Sequence, residues 1–203
     1  TITSKEGNLD LDAYAGAVTN ATVVNTTDVT LEAGTTTNAI TAQGNTAGKT
    51  LTVDADQSTG TTTFNDGGSV QGNITVTGVI SDVDFVDAFK GTGVVSVTTG
   101  AADGKTIDFG TSTTYTSVTV DADLVADTKT LTVTGTEALT ITSKEGNLDL
   151  DAYAGAVAST VVNTTDVTLE AGTTTNAITA QGNTAGKTLT VDADQSTGTT
   201  TFN

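Results

Sequence analysis

One long segment occurs twice in this sequence, and any fold proposed for the chain must accommodate that repeat. Residues 1–18 return unchanged as residues 140–157, and residues 22–65 return as residues 160–203. Between these blocks, Thr19-Asn20-Ala21 of the first copy is replaced by Ala158-Ser159, a difference that we expect to lie in a loop. We therefore divide the chain into one full repeat unit, 1–139, and the start of the next, nearly identical unit, 140–203. The second unit stops at the equivalent of Asn65, so we expect the chain to be a section of a longer polypeptide.

Short segments in which apolar residues alternate with Thr, Ser or Asp recur along the whole repeat. A period of two residues indicates half-buried β-strands. Gly-Asn and Asp-Gly pairs, which favour turns, separate many of these segments. The predicted strands include Leu51–Ala55, Ile74–Thr77, Val94–Val97, Ile107–Phe109, Val118–Val120, Leu131–Val133, Leu139–Ile141 and Leu148–Leu150.

Three architectures contain many short strands at this spacing: a parallel β-solenoid, a string of β-sandwiches and a barrel. A sandwich usually has a thick core around large aromatic residues, whereas the thin interior of a solenoid can be filled by Val, Ile, Leu, Ala and Thr. The chain has no Trp and only eight Tyr and Phe residues. This composition favours an all-β parallel solenoid of stacked coils, with tandem β-sandwich modules as the alternative. Coils of roughly 20 to 24 residues, stacked at the spacing of strands in a sheet, would give about six coils per repeat.

Residues 81–90 depart from the alternating pattern. Val83, Val86 and Phe89 are three residues apart, and Phe85 and Phe89 are four apart. This spacing is typical of a helical face. The segment is therefore predicted to form a short helical turn or a wide, irregular loop.

Composition argues against several classes of function. The chain has no His and no Cys, so it lacks the commonest general base and the commonest ligands of transition metals. Its formal net charge of -17 should repel nucleic acids and anionic membrane surfaces. No apolar run approaches the roughly 20 residues that cross a bilayer. We expect a protein that is not an enzyme, binds no nucleic acid and has no membrane span in this segment.

Aspartates in closely spaced pairs are the candidate binding residues. Two residues that are two positions apart in a strand share a face, and paired carboxylates with nearby carbonyl groups could supply the oxygen ligands that Ca²⁺ prefers. Asp residues at strand ends are also common in ordinary turns, so solvated acidic loops are the alternative. The predicted Ca²⁺ ligands are Asp54, Asp56, Asp82, Asp84, Asp87, Asp121, Asp123 and Asp127. Further Asp pairs with the same spacing are Asp10 with Asp12, Asp149 with Asp151 and Asp192 with Asp194.

Three phrases of the sequence resemble the strand-rich repeats of very large bacterial surface proteins. They are residues 60–65, GTTTFN, residues 68–76, GSVQGNITV, and residues 146–152, GNLDLDA. The resemblance is to filamentous-haemagglutinin-like adhesins and surface-layer proteins. It implies display on the cell surface, adhesion, or the formation of filaments and lattices. The Ca²⁺-binding nonapeptide of repeats-in-toxin proteins is absent from the sequence.

The sequence predicts a non-catalytic structural repeat of an extracellular bacterial surface protein, which forms a stalk, filament or surface lattice. Its expected partners are neighbouring repeats or other copies of the chain. The alternative is a Ca²⁺-stiffened adhesin module that binds a glycan or a partner cell. A third hypothesis comes from the recurring Thr-x-Thr pairs, which would resemble the ice-binding face of β-solenoid antifreeze proteins if they were aligned on one flat face. Because Thr also favours exposed strands in general, the pairs alone do not distinguish these functions.

Overall fold

The described residues form two parallel β-sheets of ten strands each. The computed structural model describes residues 1–24, 26–43, 46–66, 72–86, 93–101, 104–111, 115–182 and 184–203. The first sheet consists, in spatial order, of β1 (Ile2–Lys5), β3 (Val18–Val24), β5 (Asn38–Gln43), β7 (Thr62–Asp66), β9 (Val83–Phe85), β11 (Lys105–Asp108), β13 (Thr130–Thr134), β15 (Asn147–Asp149), β17 (Val167–Glu170) and β19 (Leu189–Asp192). The second consists of β2 (Leu9–Asp10), β4 (Val29–Glu32), β6 (Thr50–Asp54), β8 (Asn73–Val79), β10 (Val94–Thr99), β12 (Ser117–Ala122), β14 (Leu139–Ser143), β16 (Val157–Val162), β18 (Asn176–Gln181) and β20 (Thr200–Phe202).

The predicted parallel β-solenoid is confirmed. The chain passes alternately through the two sheets, so each coil contributes one strand to each sheet, and every strand pairs in parallel with the strand two positions along the chain. All eight predicted strand segments overlap observed strands. The described residues include no helix. They accordingly contain no helix that is long and apolar enough to cross a membrane.

Alternating side chains place a narrow apolar core between the sheets. In β6, Leu51 and Val53 are fully buried, whereas Thr52 and Asp54 point outwards and are partly exposed. The buried residues form one cluster that runs the length of the molecule. Aromatic side chains are few, yet three of them stack along the wall of the first sheet: the ring centroids of Phe64 and Phe85 are 4.5 Å apart, and those of Phe85 and Phe109 are 5.5 Å apart.

Residues 83–85 form a strand, so the predicted helical turn is wrong at this position. Val83 and Phe85 are buried and Asp84 between them is partly exposed, which is the alternation of a strand. In this extended conformation, the ring of Phe85 stacks on the ring of Phe64 of the preceding coil. Residues 87–90 of the predicted turn lie outside the described residues.

The length difference between the two copies lies within a strand and not, as predicted, in a loop. In the first copy, Val18 pairs with Asn38 and Ala21 pairs with Ile40. Over this interval β3 advances by three residues, whereas β5 advances by two. The equivalent strand β16 pairs with β18 without interruption. The extra residue is absorbed as a β-bulge, which leaves the later residues of β3 facing the same sides as their counterparts.

The two copies of the repeat occupy opposite sheets. Strand β14 contains Leu139–Ser143, the counterpart of β1, and thirteen strand positions separate the two in chain order. The repeat therefore spans six and a half coils, close to the predicted value of about six. Partners on neighbouring coils are between 17 residues apart (Leu131 and Leu148) and 26 residues apart (Ile107 and Val133). Every strand of the second copy consequently lies in the sheet opposite to that of its counterpart.

Strand pairing and corner structure are nevertheless the same in the two copies, although the copies lie half a coil out of phase. Val29 pairs with Leu51 in the second sheet, and their counterparts Val167 and Leu189 pair in the first. Asn38 is buried at a corner, where its side-chain amide donates to the carbonyl oxygens of Gly34 and Thr36. Its counterpart Asn176 makes the equivalent bonds to Gly172 and Thr174 at the opposite corner. The same sequence thus forms a half-coil, that is, one strand with its corner, on either side of the core.

Candidate functional site

The Asp-x-Asp pairs share a local turn structure. In five of these pairs, the first Asp is the last or next-to-last residue of a strand, and its Oδ1 accepts a hydrogen bond from the backbone N–H of the second Asp, with N–O distances of 3.0–3.3 Å. This bond reverses the chain at the corner, as Asp side chains commonly do in turns. The pairs that form it are Asp10 and Asp12, Asp54 and Asp56, Asp121 and Asp123, Asp149 and Asp151, and Asp192 and Asp194.

Strand register brings several of these carboxylates together at one corner of the first copy. Asp10 pairs with Glu32 and Glu32 pairs with Asp54, so three acidic residues lie above one another on consecutive coils. We call Asp10, Asp12, Glu32, Asp54 and Asp56 the first acidic edge. One carboxylate oxygen from each of Asp10, Asp12 and Glu32 lies within 4.8 Å of the other two.

Electrostatic repulsion within the first acidic edge favours protonation. The negative charges of Asp12 and Asp10, followed by partial loss of water around the carboxyl group, raise the pKa of Glu32. Partial desolvation and the charges of Asp10, Asp56 and Asp54 raise the pKa of Asp12. Both side chains remain open to solvent, so their protonation state can respond to the surrounding solution.

The same arrangement recurs in the second copy at the opposite edge of the solenoid. Asp149 pairs with Glu170 and Glu170 pairs with Asp192, now in the first sheet. With Asp151 and Asp194 they form the second acidic edge. Asp149, Asp151 and Glu170 bring carboxylate oxygens within 4.8 Å of one another, and desolvation followed by the charge of Asp149 raises the pKa of Asp151 and of Glu170.

Each edge can therefore attract cations through three converging carboxylates. Ca²⁺ takes six to eight oxygen ligands, and carboxylates, backbone carbonyls and water can all provide them. The three carboxylates of one triad could supply part of such a set, with water completing it. Occupation by a cation would also relieve the repulsion that raises these pKa values.

Of the seven predicted Ca²⁺ ligands that the structure describes, two belong to these edges. Asp54 and Asp56 are part of the first acidic edge, whereas Asp121 and Asp123 form a separate corner where Lys144 partly offsets the raised pKa of Asp123. Asp127 is exposed in a turn, and Asp84 lies on β9 beside Asp108 of the next coil. Asp87 is outside the described residues. The structure thus disperses the predicted set along the rod.

Asp82 belongs to a different recurring motif that joins consecutive coils. The motif begins with an Asn or Asp that lies just before a strand or at its first residue. Its Oδ1 accepts a hydrogen bond from a backbone N–H of the next coil, and the donor also lies at or near the start of a strand. Asp82 accepts from Thr106 at 2.9 Å in this way. The same bond is made by Asn8 to Thr30, Asp28 to Thr50, Asn73 to Val94, Asn147 to Thr168 and Asp166 to Thr188. This motif gives Asp82 a structural role.

Sequence reasoning missed Glu32 and Glu170, which complete the two carboxylate triads. Both residues lie about one coil after an Asp-x-Asp pair, so a predicted strand register would have been needed to place them beside it. The pairs Asp10 with Asp12 and Asp149 with Asp151 are visible in the sequence. An acidic residue on the neighbouring strand distinguishes them from Asp121 with Asp123, because Asp121 pairs with Thr98 and Thr142.

A column of hydroxyl groups lies on the outer face of the second sheet. Consecutive register partners along this face are Thr30, Thr52, Thr75, Ser96, Thr119 and Thr140. The column continues through Ala158 and Ala177 to Thr201. One residue of several Thr-x-Thr pairs lies in this column, but the other is not in register with Thr: Thr50 pairs with Asn73, and Thr77 pairs with Asp54. Two alanines interrupt the column in the second copy.

Comparisons of the chain with protein-family models, with curated proteins and with solved structures gave no match.

Proposed function

We propose that this chain is a non-catalytic structural repeat of an extracellular bacterial surface protein, and that it forms the shaft of a stalk, a filament or a surface lattice. The observation that carries the proposal is the recurrence of strand pairing in both copies, apart from the bulge in β3, on sheets that continue through the repeat boundary. Such a fold lengthens by addition of coils, because each coil contacts only its neighbours. Neighbouring repeats, or other copies of the chain, are its partners.

The distribution of chemical groups supports a structural role over an enzymatic one. Acidic pairs recur along the rod, and each uses one carboxylate to form a corner. Other Asn and Asp side chains hold consecutive coils together. A catalytic centre requires a single arrangement of groups in fixed roles, whereas these groups repeat with the coils.

Surface labelling of intact cells that make the protein tests this proposal. Antibodies raised against the chain should label the outside of unbroken cells, and electron microscopy should locate the label on a filament, stalk or surface layer. Brief protease treatment of intact cells should remove the label, while a cytoplasmic marker protein stays intact. Label that appears only after the cells are permeabilised would contradict the proposal.

The alternative function is a Ca²⁺-stiffened adhesin module that binds a glycan or a partner cell. The two carboxylate triads favour the Ca²⁺ part of this alternative, although the protein is a solenoid and not an array of β-sandwiches. Binding to a glycan array in Ca²⁺, and its loss in chelator, would support this function. Absence of glycan binding in both conditions would leave the structural role.

The third function, ice binding, is favoured by the aligned hydroxyl column of the second sheet. An ice-recrystallisation assay tests it directly, with Thr75→Tyr and Thr119→Tyr as variants that disturb the flat face. Crystals that grow as they do in buffer alone would exclude this function.

A further inference from the structure

One stretch of identical sequence occupies two different environments in this molecule. Residues 140–157 repeat residues 1–18 without change. In the second copy, β12 and β13 of the preceding coil cover this stretch, and Val120 pairs with Ile141. In the first copy, β1 and β2 are end strands of the two sheets, and Ile2, the counterpart of Ile141, is only partly buried. The molecule thus shows one surface both covered and uncovered.

Tyrosine exposure differs most between the two forms of this surface. Tyr153 is completely buried, whereas its counterpart Tyr14 is 51% exposed. A Cβ atom on Gly135 would lie 3.1 Å from the ring of Tyr153, so the backbone of the preceding coil lies directly against that ring. Tyr14 instead borders an open pocket, which Ala17 and Val18 also line. The preceding coil therefore provides the cover that Tyr14 lacks.

A glycine allows the backbones of the covered form to come into close contact. The backbone N–H of Ala154 donates to the carbonyl oxygen of Gly135 at 2.8 Å. A side chain on Gly155 would overlap the carbonyl oxygen of Glu137, so only glycine permits this approach. Gly16, the counterpart of Gly155, is exposed. The uncovered form therefore has the same side-chain-free position at which the coil would dock.

We propose that the surface of residues 1–18, which we call the open end, binds residues 118–137 of another copy of the repeat. The strands equivalent to β12 and β13 would pair with β1 and β2, whose outer edges carry the free backbone groups to which a further strand can bond. Because the two copies lie half a coil out of phase, the strand equivalent to β12 would extend the first sheet. Leu9 and Leu11, partly buried at the open end, would become as buried as their counterparts Leu148 and Leu150.

This contact is the surface through which neighbouring repeats of the proposed shaft would meet. The proposal rests on the proposed function only in assuming that the repeats are joined in an array, in which each unit contacts its neighbours. It identifies which residues of the two repeats touch and which sheet each strand extends.

The reactivity of Tyr14 towards tetranitromethane, which nitrates accessible tyrosines, tests the proposal. The chain is compared with a form extended at its N-terminus by a further copy of residues 66–139, so that Leu139 precedes Thr1 as it precedes Thr140. Tyr14 should be nitrated in the unextended chain and should become as unreactive as Tyr153 in the extended one. Trypsin releases the two tyrosines in peptides 6–49 and 145–187, whose sequences differ, so mass spectrometry measures each separately.

Two results of this experiment would overturn the proposal. The first is equal nitration of Tyr14 in both chains, whether the added residues fold apart from the open end or do not fold. The second is protection of Tyr14 in the unextended chain that increases with protein concentration, because the end of a second molecule would then be the occupant. Neither result depends on where the protein is located in the cell, so protection of Tyr14 without surface labelling would contradict the proposed function alone.

An alanine at Gly16 gives a second, independent test. In the extended chain, Gly16→Ala should lower the melting temperature, because the new methyl group would overlap the docked backbone. In the unextended chain the same substitution should leave the melting temperature unchanged. Gly155→Ala is the matched control and should lower it in both chains. An extended chain that is sensitive to Gly155→Ala but not to Gly16→Ala would overturn the proposal.

Discussion

The ring of Phe85 lies parallel to that of Phe64 on the preceding coil, with 4.5 Å between their centroids and 7° between their planes. Phe64 is completely buried in this stack. Phe202 has the same sequence neighbours in the second copy but is 63% exposed. Phe202 lies on β20, the last strand of the second sheet, so no further strand covers its ring.

Substitution of the buried ring should destabilise the protein far more than substitution of its exposed counterpart. Phe64→Ala is expected to lower the free energy of unfolding by about 3–5 kcal/mol, since it leaves a cavity beside Phe85. Phe202→Ala should change it by only about 0.5 kcal/mol. Denaturant unfolding followed by circular dichroism measures both values, and similar losses would contradict the stacking described above.

Gly155 should tolerate no side chain, whereas its counterpart Gly16 should. A Cβ atom on Gly155 would lie 1.9 Å from the backbone carbonyl oxygen of Glu137 on the preceding coil. On Gly16 it would approach only the Tyr14 ring, at 2.9 Å or more, and that ring can move. We expect Gly155→Ala to cost about 1–3 kcal/mol. Gly16→Ala should be close to neutral, and thermal melting of both variants compares the two positions.

Mild acidification should stabilise the protein through its acidic edges. The folded state raises the pKa of Asp12, Glu32, Asp151 and Glu170 above the ordinary values of 3.8 for Asp and 4.5 for Glu. The repulsion is fully present above these raised values and diminishes as pH falls towards the ordinary ones, so this contribution to stability increases in that window. Asp166 acts oppositely: a hydrogen bond from the Thr188 backbone N–H lowers its pKa, and its contribution is lost on further acidification.

The acidic edge can be isolated from the rest of the charge with one variant and one control. Glu32→Gln should raise the melting temperature at neutral pH and flatten its dependence on pH in the window just above 4.5. Asp127→Asn removes one negative charge from an exposed turn outside both edges and should leave that dependence in place. A pH profile unchanged by Glu32→Gln would show that repulsion at the edge is energetically unimportant.

Chelator and Ca²⁺ should have different effects on stability. Main-chain hydrogen bonds within the two sheets hold the coils together, so we expect chelator alone to leave the melting temperature unchanged. Added Ca²⁺ should raise it, because an ion that binds only the folded state stabilises that state. The double variant Asp12→Asn/Asp151→Asn should lose the increase. A sharp fall of the melting temperature in chelator would instead favour the Ca²⁺-stiffened alternative.

The fold could be predicted from the sequence because two simple patterns determine it. Alternation in segments such as Leu51–Ala55 indicates strands, and the scarcity of large aromatic residues indicates a thin core. The predicted helical turn is wrong because the spacing of Val83 and Val86 also fits a strand followed by a corner. Stacking of Phe85 on Phe64 favours the strand over the helical turn. The bulge in β3 was not predictable, since nothing local distinguishes an extra residue in a strand from one in a loop.

The candidate site depended on register, which the sequence does not state. Asp54 and Asp82 are both acidic residues near strand ends, yet Asp54 joins a column of carboxylates and Asp82 accepts a hydrogen bond from the next coil. Coil lengths vary along the chain, so the neighbours of each Asp could not be deduced by counting residues. The surface location, the partners and the effect of Ca²⁺ stay predictions.

A half-coil that fits either wall of the core also affects how such a gene can change. Asn38 and Asn176 make the same set of hydrogen bonds at opposite corners of the rod, so neither requires a particular side. Unequal recombination between repeats can therefore move later strands to the opposite sheet without loss of these corner hydrogen bonds. A duplication need not contain a whole number of coils, as the repeat of six and a half coils itself shows.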